Sequence, residues 1–241
     1  MRRSSENGLA GDAEAMPQQH TSRPAPASEL NRVAEHLGPR IRAARLRRGL
    51  GLRELAREVS CSPSMISQIE NGITMPSVPN LYAICTALGI STDSLVVPEM
   101  SFGRTSSSSR GQDGAGQSSP SAHGSKHLSP ENRRVITLER GVQWELLTPT
   151  PEQGAEFREV TYAPGGGTPP SDPAIRHNGR EYCLVLEGEL TVHVGFEEYL
   201  LSPGHSIVFD STTPHRVWNA GHVPVRSVWF VMDGGHLQGS A

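Results

Sequence analysis

The sequence LRELAREVSCSPSMISQIEN, Leu52–Asn71, decides the fold of the first half of the chain. Apolar residues recur at helical spacing in its first part and predict one buried helix face: Leu52, Leu55, Ala56 and Val59. After a break, Ser62 can cap a second helix, and Pro63 suits the first turn of that helix because its missing N–H is not needed there. Ile66 and Ile69 then point inward. The stretch therefore predicts two short helices joined by a tight turn.

The outer face of the second helix is polar and uncharged. Such a face on a helix pair of this kind is typical of the helix-turn-helix, whose second helix lies in the major groove of DNA. We expect base-edge contacts from Ser64, Ser67 and Gln68, since a Gln side chain can pair bidentately with adenine. Arg53 and Asn71 are expected to hold phosphates. The full predicted DNA-binding set is Arg53, Ser62, Pro63, Ser64, Ser67, Gln68 and Asn71.

The wider segment, residues 37–95, resembles the lambda-repressor-like, or xenobiotic-response-element (XRE), helix-turn-helix family. The family pattern is matched in order by Ile66, Ser67, Glu70, Gly72, Pro76, Ser77, Leu81, Ile84, Ala87, Leu88 and Gly89. The resemblance implies an ion pair between Arg45 and Glu70 that fixes the angle between helices. Two positions depart from the family. Gly51 stands where Ser or Thr usually caps a helix, and Gly is a serviceable cap. Ser60 stands where Gly usually takes the turn, so we expect that turn to be strained or slightly reshaped.

Five helices are predicted for this domain. The first starts near Pro39, because Gly38 and Pro39 interrupt the apolar stripe that precedes them. The fourth begins at Ser77 and ends at Gly89. A fifth short helix, capped by Ser91, closes the domain on Leu95. Five helices in roughly 60 residues predict an all-α domain with one small core.

Composition divides the 241 residues into two domains of opposite charge. Residues 30–97 hold eight Arg and five acidic residues, a net charge of +3, whereas residues 131–241 hold eight Arg and fourteen acidic residues, a net charge of −6. The basic domain is the one with the helix-turn-helix, and the acidic domain is not expected to touch phosphate. Residues 1–29 are predicted to be a disordered tail. Residues 98–130, rich in Ser and Gly, are predicted to be a flexible linker that tethers the two domains loosely.

Localisation follows from what the sequence lacks. It has no apolar run near the ~18 residues of a membrane span, and its N-terminus lacks the apolar core of a signal peptide. The three cysteines, Cys61, Cys85 and Cys183, show no metal spacing and cannot all pair. A cytoplasmic protein with reduced thiols is predicted.

From Val135 onward the pattern changes to period two with Gly and Pro turns. Nine short strands are predicted: 135–138, 142–147, 156–162, 181–186, 189–194, 198–201, 206–209, 215–218 and 225–231. Their near-even spacing indicates a β-barrel or jelly roll. We expect aromatic residues such as Trp144 and Trp229 in its core or lumen, with Arg176 or Arg180 at the mouth.

The barrel region resembles the cupin family, a small double-stranded β-helix. The first cupin motif is matched by Gly167, His177, Glu181 and Gly188, and the second by Gly195, Pro203, Gly204, His215 and Asn219. The resemblance brings His177, Glu181 and His215 together. Two imidazoles and one carboxylate on one side of an ion suit a single divalent metal: Fe, Mn, Ni or Zn. Ile175 replaces the first His of the motif, so a four-ligand site is not available. The alternative is that the three residues bind an organic ligand, or only each other, without metal.

Both resemblances together imply a bacterial regulator of transcription. The helical domain binds operator DNA as a homodimer that reads two half-sites, and the barrel senses a small-molecule effector or dimerises. In this interpretation the protein is not an enzyme. The alternative is a mononuclear iron enzyme, because hydroxypropylphosphonate epoxidase also joins an XRE-like domain to a cupin with a similar His-x-x-x-Glu spacing. In that case His177, Glu181 and His215 hold Fe(II).

Overall fold

The computed structural model describes residues 27–95 and 126–232, with side chains from residue 37 in the first segment. The predicted tail and linker therefore lie outside the described residues over 1–26 and 98–125. Within the described ranges, no helix has the length and apolar character needed to cross a bilayer.

The first segment forms four α-helices: α1 (Ala27–Arg47), α2 (Leu52–Glu58), α3 (Pro63–Glu70) and α4 (Val78–Leu88). The predicted fifth helix is only a 3-10 turn at Asp93–Leu95, capped by a hydrogen bond of 3.2 Å from Ser94 N–H to Ser91 Oγ. The described residues of this segment end at Leu95, and within them the backbone forms one 3-10 turn in place of the predicted helix. The helices enclose one apolar core, with these side chains fully buried: Ile41, Leu55, Ile66, Leu81 and Ile84.

Helix α1 is continuous through Pro39, so the predicted start near Pro39 is wrong. A proline inside a helix removes one backbone hydrogen bond. Leu37 and Ile41, both buried, anchor the helix on either side of that gap. Gly38 has a packing role as well, because a Cβ there would lie 2.4 Å from Ile69 O and 2.6 Å from Glu70 O. The backbone of α1 thus passes directly against the end of α3.

The turn between α2 and α3 contains the strain that the sequence predicts. Ser60 has a φ of 55°, in the left-handed region that costs a non-glycine residue about 1–2 kcal/mol. Ser60→Gly is therefore expected to raise the free energy of unfolding of the helical domain by about 1 kcal/mol, as measured by chemical denaturation. Gly49→Ala is the matched control, because Gly49 has a φ of 69° and open space around it, and the variant should lose a similar amount. Equal stability of Ser60→Gly and the parent would contradict the assignment of strain to this turn.

The second segment contains the nine predicted strands. They are β1 (Val135–Leu138), β2 (Val142–Leu146), β3 (Ala155–Tyr162), β4 (Arg180–Glu187), β5 (Leu190–Val194), β6 (Glu197–Leu201), β7 (Ser206–Asp210), β8 (His215–Trp218) and β9 (Val225–Met232). A six-stranded antiparallel sheet has the order β1-β2-β3-β9-β4-β7, and a three-stranded sheet has the order β6-β5-β8. The predicted combination of an N-terminal helical domain with a β-rich cupin domain is confirmed.

Alternation along the strands defines an inner and an outer face. On β4, Glu181, Cys183 and Val185 point inward and are buried, whereas Tyr182 and Leu184 point outward. The inner faces of the two sheets enclose the barrel core, into which strands β4 and β8 direct Glu181 and His215.

The helical domain docks on the barrel directly, in contrast to the loose tether expected from the linker. Glu139 N–H donates to Pro76 O at 3.0 Å. Glu156 accepts hydrogen bonds from both the N–H and the hydroxyl of Thr92, at 3.0 and 2.7 Å. The ring of Tyr82, on α4, stacks on His177 of the barrel with centroids 4.4 Å apart and planes at 3°. These contacts between the two surfaces determine the docking, and the composition of the linker does not reveal them.

Candidate functional site

Helix α3 presents its polar face to solvent. Ser62 caps the helix by accepting a hydrogen bond from Met65 N–H at 3.1 Å. Ser64 and Gln68 are exposed and Ser67 is half-buried, while the apolar face of the helix is buried. The helical domain contacts the barrel through α1, which packs against β1, and through Tyr82 of α4 with the residues that flank α4. The polar face of α3 stays exposed.

The remaining predicted DNA-binding residues lie at the two ends of α3 and on α2. Pro63 occupies the first turn and is exposed, as is Arg53 on α2. Asn71 is the C-cap residue, and its side-chain amide donates to Ser67 O at 2.8 Å. Gly51 caps α2 through a hydrogen bond from its N–H to the Glu54 carboxylate at 2.6 Å. Six of the seven predicted DNA-binding residues therefore lie on α3 or at its caps, and Arg53 lies on α2.

Arg45 and Glu70 form a buried, two-pronged ion pair. Arg45 Nε lies 2.6 Å from Glu70 Oε1, and Nη2 lies 2.8 Å from Oε2. The third guanidinium nitrogen, Nη1, donates to Leu50 O at 2.8 Å. Both side chains are at most 7% exposed. The pair joins α1 to the end of α3 and so fixes the direction in which α3 projects.

Inside the barrel, His177, Glu181 and His215 converge. Glu181 Oε1 lies 2.8 Å from His177 Nε2 and 3.1 Å from His215 Nε2. One ligand atom from each of the three residues lies within 4.8 Å of the others. His177 lies in the loop before β4, Glu181 lies on β4, and His215 lies on β8 of the other sheet. Ile175 forms a β-bridge with His215.

The orientation of the two imidazoles suits a metal. His215 Nδ1 is 3.0 Å from Thr213 O, and His177 Nδ1 is 3.1 Å from Asn178 O, so each Nδ1–H has a carbonyl acceptor. Each Nε2 then presents a lone pair toward Glu181. His177 Nε2 and Glu181 Oε1 are buried and lack a well-aligned hydrogen bond to any described residue. Lone pairs and a carboxylate aimed at one point require a positive charge, either protons on the imidazoles or a divalent ion. The donor set therefore fits the metal predicted from the sequence.

The charges of this cluster are strongly coupled. Burial alone would raise the pKa of the Glu181 carboxyl, but His177 and His215 beside it hold that pKa well below its usual range. Burial lowers the pKa of His215, and its contact with Glu181 more than offsets this, so the net pKa is raised. Glu181 is therefore an anion at neutral pH and is available as a ligand.

Sequence reasoning did not single out Arg158, and the position of Arg176 or Arg180 at the barrel mouth stays a prediction. Arg176 and Arg180 are exposed, whereas Arg158 is 1% exposed and lies inside the barrel. Its guanidinium lies 4.1 Å from the centre of the Trp144 ring. The signal in the sequence was its position on β3, in phase with the inward-facing Val160 and Tyr162. Of the aromatic residues, Trp144, Tyr162 and Trp229 line the cavity beside Glu181.

Comparison with known proteins supports the two-domain interpretation. Residues 41–95 match the family described as "Helix-turn-helix", and residues 158–231 match the family described as "Cupin domain". The HTH-type transcriptional regulator SutR of Escherichia coli K12 is 24% identical over 199 residues, which cover 81% of this chain and 94% of that protein. The chain is a homologue of HTH-type transcriptional regulators. A second one, PuuR of E. coli K12, is 25% identical over 184 residues, 76% of this chain and 86% of PuuR.

A solved structure agrees with the fold of this regulator homologue. The crystal structure of an HTH_3 family transcriptional regulator from Vibrio cholerae superposes with a TM-score of 0.57 at 21% identity, covering 83% of this chain and 97% of that one. The resemblances to the XRE-type helix-turn-helix and to the cupin, predicted from the sequence, are thus confirmed.

Proposed function

We propose that this protein is a cytoplasmic, sequence-specific DNA-binding regulator of transcription whose barrel binds a small-molecule effector. The observation that carries the proposal is the exposed, neutral face of α3, held in place by the buried pair of Arg45 and Glu70. The homology to HTH-type transcriptional regulators supports the same conclusion. The net charge of +3 on residues 30–97 favours contact with phosphate by this domain.

The direct test is binding of the full-length protein to the DNA upstream of its own gene. Footprinting should reveal a protected site, and fluorescence anisotropy should give a much higher affinity for that site than for a scrambled duplex at the same salt concentration. Equal affinity for the upstream site and for the scrambled duplex would refute sequence-specific recognition.

Gln68 is expected to read one base pair. Gln68→Ala should relax preference at that position, with a loss of about 1–3 kcal/mol for the preferred base and little loss for the others. The measurement is anisotropy against four duplexes that differ at the protected position. Arg53→Ala is the control, because loss of a phosphate contact weakens binding to all four duplexes alike. A uniform loss for Gln68→Ala would remove Gln68 from the base-reading set.

We further propose that the protein is a homodimer that pairs through the outer face of the six-stranded sheet. A row of apolar side chains crosses four neighbouring strands there: Phe157, Phe230, Tyr182 and Val208 are partners in register. Leu184, 42% exposed, extends the row. A contiguous apolar patch of this kind marks an association surface, and a two-fold axis through it would present two copies of α3 for two half-sites.

Leu184→Arg is expected to dissociate this dimer. An unpaired charge buried in the interface costs about 3 kcal/mol, which raises the dissociation constant of the dimer roughly 100-fold. Sedimentation velocity gives the oligomeric state, and operator affinity should fall with it. Phe196→Arg is the matched control, since Phe196 is apolar and fully exposed in the turn between β5 and β6, away from the patch. A Leu184→Arg protein that stays dimeric would exclude this face.

The cluster of His177, Glu181 and His215 supports a second candidate function, that of a mononuclear iron enzyme. Two histidines and one carboxylate are the ligand set of non-haem Fe(II) oxygenases. Iron-dependent oxygen consumption by the purified protein would favour that candidate. Sub-micromolar binding to its own upstream DNA, with no oxygen consumption, would favour the regulator.

A further inference from the structure

A buried cation lies within the barrel, beside the candidate metal ligands. Arg158 and Glu181 line the same cavity of about 30 Å³, together with His215, Thr168 and Trp144. A buried guanidinium is costly unless its donors are satisfied. Arg158 Nη2 contacts the Glu156 carboxylate, but Nε and Nη1 have no acceptor in the described part of the chain. Nε and Nη1 together carry three N–H groups, so part of a buried, charged fork beside the cavity has no partner among the described residues.

The carboxylates around Arg158 belong to the contact between the two domains. Glu156 pairs with Arg158 through Oε2 and accepts both hydrogen bonds from Thr92 through Oε1. Asp93, next to Thr92, is 1% exposed, and neither of its carboxylate oxygens has a hydrogen-bond partner among the described residues. Burial raises the pKa of Asp93, and the charge of Arg158 opposes that increase. Arg158 thus supplies positive charge to both acids at the contact between the domains, Glu156 and Asp93.

Helix α4 covers the entrance to this cavity. Val78 and Tyr82 line it from the helical domain, and the Tyr82 ring stacks on His177. The cavity has about the volume of one water molecule, so a larger ligand fits only if α4 moves. A cleft of about 400 Å³ between the domains reaches Tyr82, His177 and Glu156 from outside. It provides the path by which a ligand would arrive.

We propose that the effector is a small carboxylate that binds Arg158 inside the barrel, and that it displaces Glu156 and so releases the helical domain from the barrel. The inference rests on the proposed function, and it specifies the chemical class of the effector and the structural change that the effector causes. A carboxylate matches the planar fork of a guanidinium, and its remaining atoms can occupy the space beside Glu181 and His215. The unpartnered Nε and Nη1 are the donors that such a ligand would satisfy.

The ligand carboxylate and the acids around Arg158 compete because they carry the same charge. Glu156 and Asp93 already place two acids around one guanidinium in a buried site. Glu181 is a further anion in the same cavity, so an incoming carboxylate is repelled by Glu156, Asp93 and Glu181. It displaces Glu156, because Glu156 is the acid that is paired with Arg158. Loss of the Glu156–Arg158 pair frees Glu156 from the position in which it holds Thr92, and Tyr82 separates from His177 as the ligand enters. Ligand binding and domain docking are therefore reciprocally linked.

The test uses the full-length protein and two readouts. Isothermal calorimetry with acetate, oxalate and succinate, against chloride at equal ionic strength, measures binding. Hydrogen exchange of the Thr92 amide, whose N–H is bonded to Glu156, measures domain release. We expect saturable binding of at least one carboxylate and faster exchange of the Thr92 amide when it is bound.

Three variants separate this proposal from a purely structural role of Arg158. Arg158→Met should abolish binding, whereas Arg180→Met, at an exposed arginine at the start of β4, should not change it. Glu156→Gln retains an acceptor for Thr92 but removes the competing charge, so it should bind the carboxylate about tenfold more tightly. A gain in affinity cannot come from misfolding, so this variant remains decisive if Arg158→Met does not fold.

The proposal is overturned by the absence of carboxylate binding to the parent protein, by unchanged affinity in Glu156→Gln, or by a Thr92 amide that stays protected in the bound state. Binding to the upstream DNA is measured on the same samples. Operator binding without carboxylate binding would refute this inference alone, whereas carboxylate binding without operator binding would refute the regulatory function.

Discussion

Glu70→Ala is expected to lower the free energy of unfolding of the helical domain by about 3–5 kcal/mol. The substitution leaves the Arg45 guanidinium buried, without the two oxygens that lie 2.6 and 2.8 Å from Nε and Nη2. The bond from Nη1 to Leu50 O satisfies only part of its charge. A small domain has a total stability of about 5–15 kcal/mol, so the helical domain should melt separately from the barrel.

Thermal and chemical denaturation, followed by far-ultraviolet circular dichroism, measure this effect. Glu58→Ala is the matched control, because Glu58 is an exposed acid at the end of α2, and its removal should change stability by less than about 0.5 kcal/mol. The double variant Arg45→Met/Glu70→Leu should recover most of the loss, because apolar replacements leave no unpaired charge. A Glu70→Ala protein as stable as the Glu58→Ala control would mean that the pair does not fix α3.

Glu181→Gln is expected to reduce divalent-metal affinity by more than about 100-fold. The carboxylate is the only anion in the set of His177, Glu181 and His215, and its Oε1 faces both Nε2 atoms. Changes to groups that merely orient a ligand cost about 10–100-fold, so loss of the ligand charge itself should cost more. Gln keeps the size and shape of the side chain, so the barrel should remain folded.

Metal content by mass spectrometry and calorimetric titration with Mn²⁺, Zn²⁺ and Fe²⁺ measure that affinity. The parent should bind one ion per chain. Glu189→Gln, at an exposed acid next to the turn between β4 and β5, should bind as the parent does. A parent protein that takes up no ion at millimolar concentration would instead favour the alternative in which the three residues bind an organic ligand directly.

The local sequence pattern was sufficient to predict most of the helices and strands. The helical periodicity of residues 52–71 predicted α2 and α3, because amphipathic spacing and the Ser62 cap are properties of a few neighbouring residues. Alternation predicted all nine strands for the same reason. The three barrel residues came from the cupin motif, which aligns His177, Glu181 and His215 although 38 positions separate the two histidines in the chain.

Features that depend on tertiary contacts were not predictable in the same way. Pro39 and Gly38 resemble a helix boundary, but packing against the end of α3 keeps α1 continuous. Arg158 is an arginine in a strand with charged neighbours, and only the pairing of β3 within the barrel shows that it faces inward. The ring of Tyr82 contacts His177 across two domains. In the chain these domains are connected by residues 98–130, whose composition predicts only a flexible coil.

The close passage of α1 over α3 at Gly38 leaves that position without mutational freedom. Any side chain there would meet the carbonyl oxygens of Ile69 and Glu70, which end the helix that faces DNA. A missense change in the codon for residue 38 would therefore act at a distance, tilting or unfolding α3 while every residue of its outer face is unchanged. In a genetic screen for loss of regulation, such an allele would be indistinguishable from one that damages the recognition surface itself.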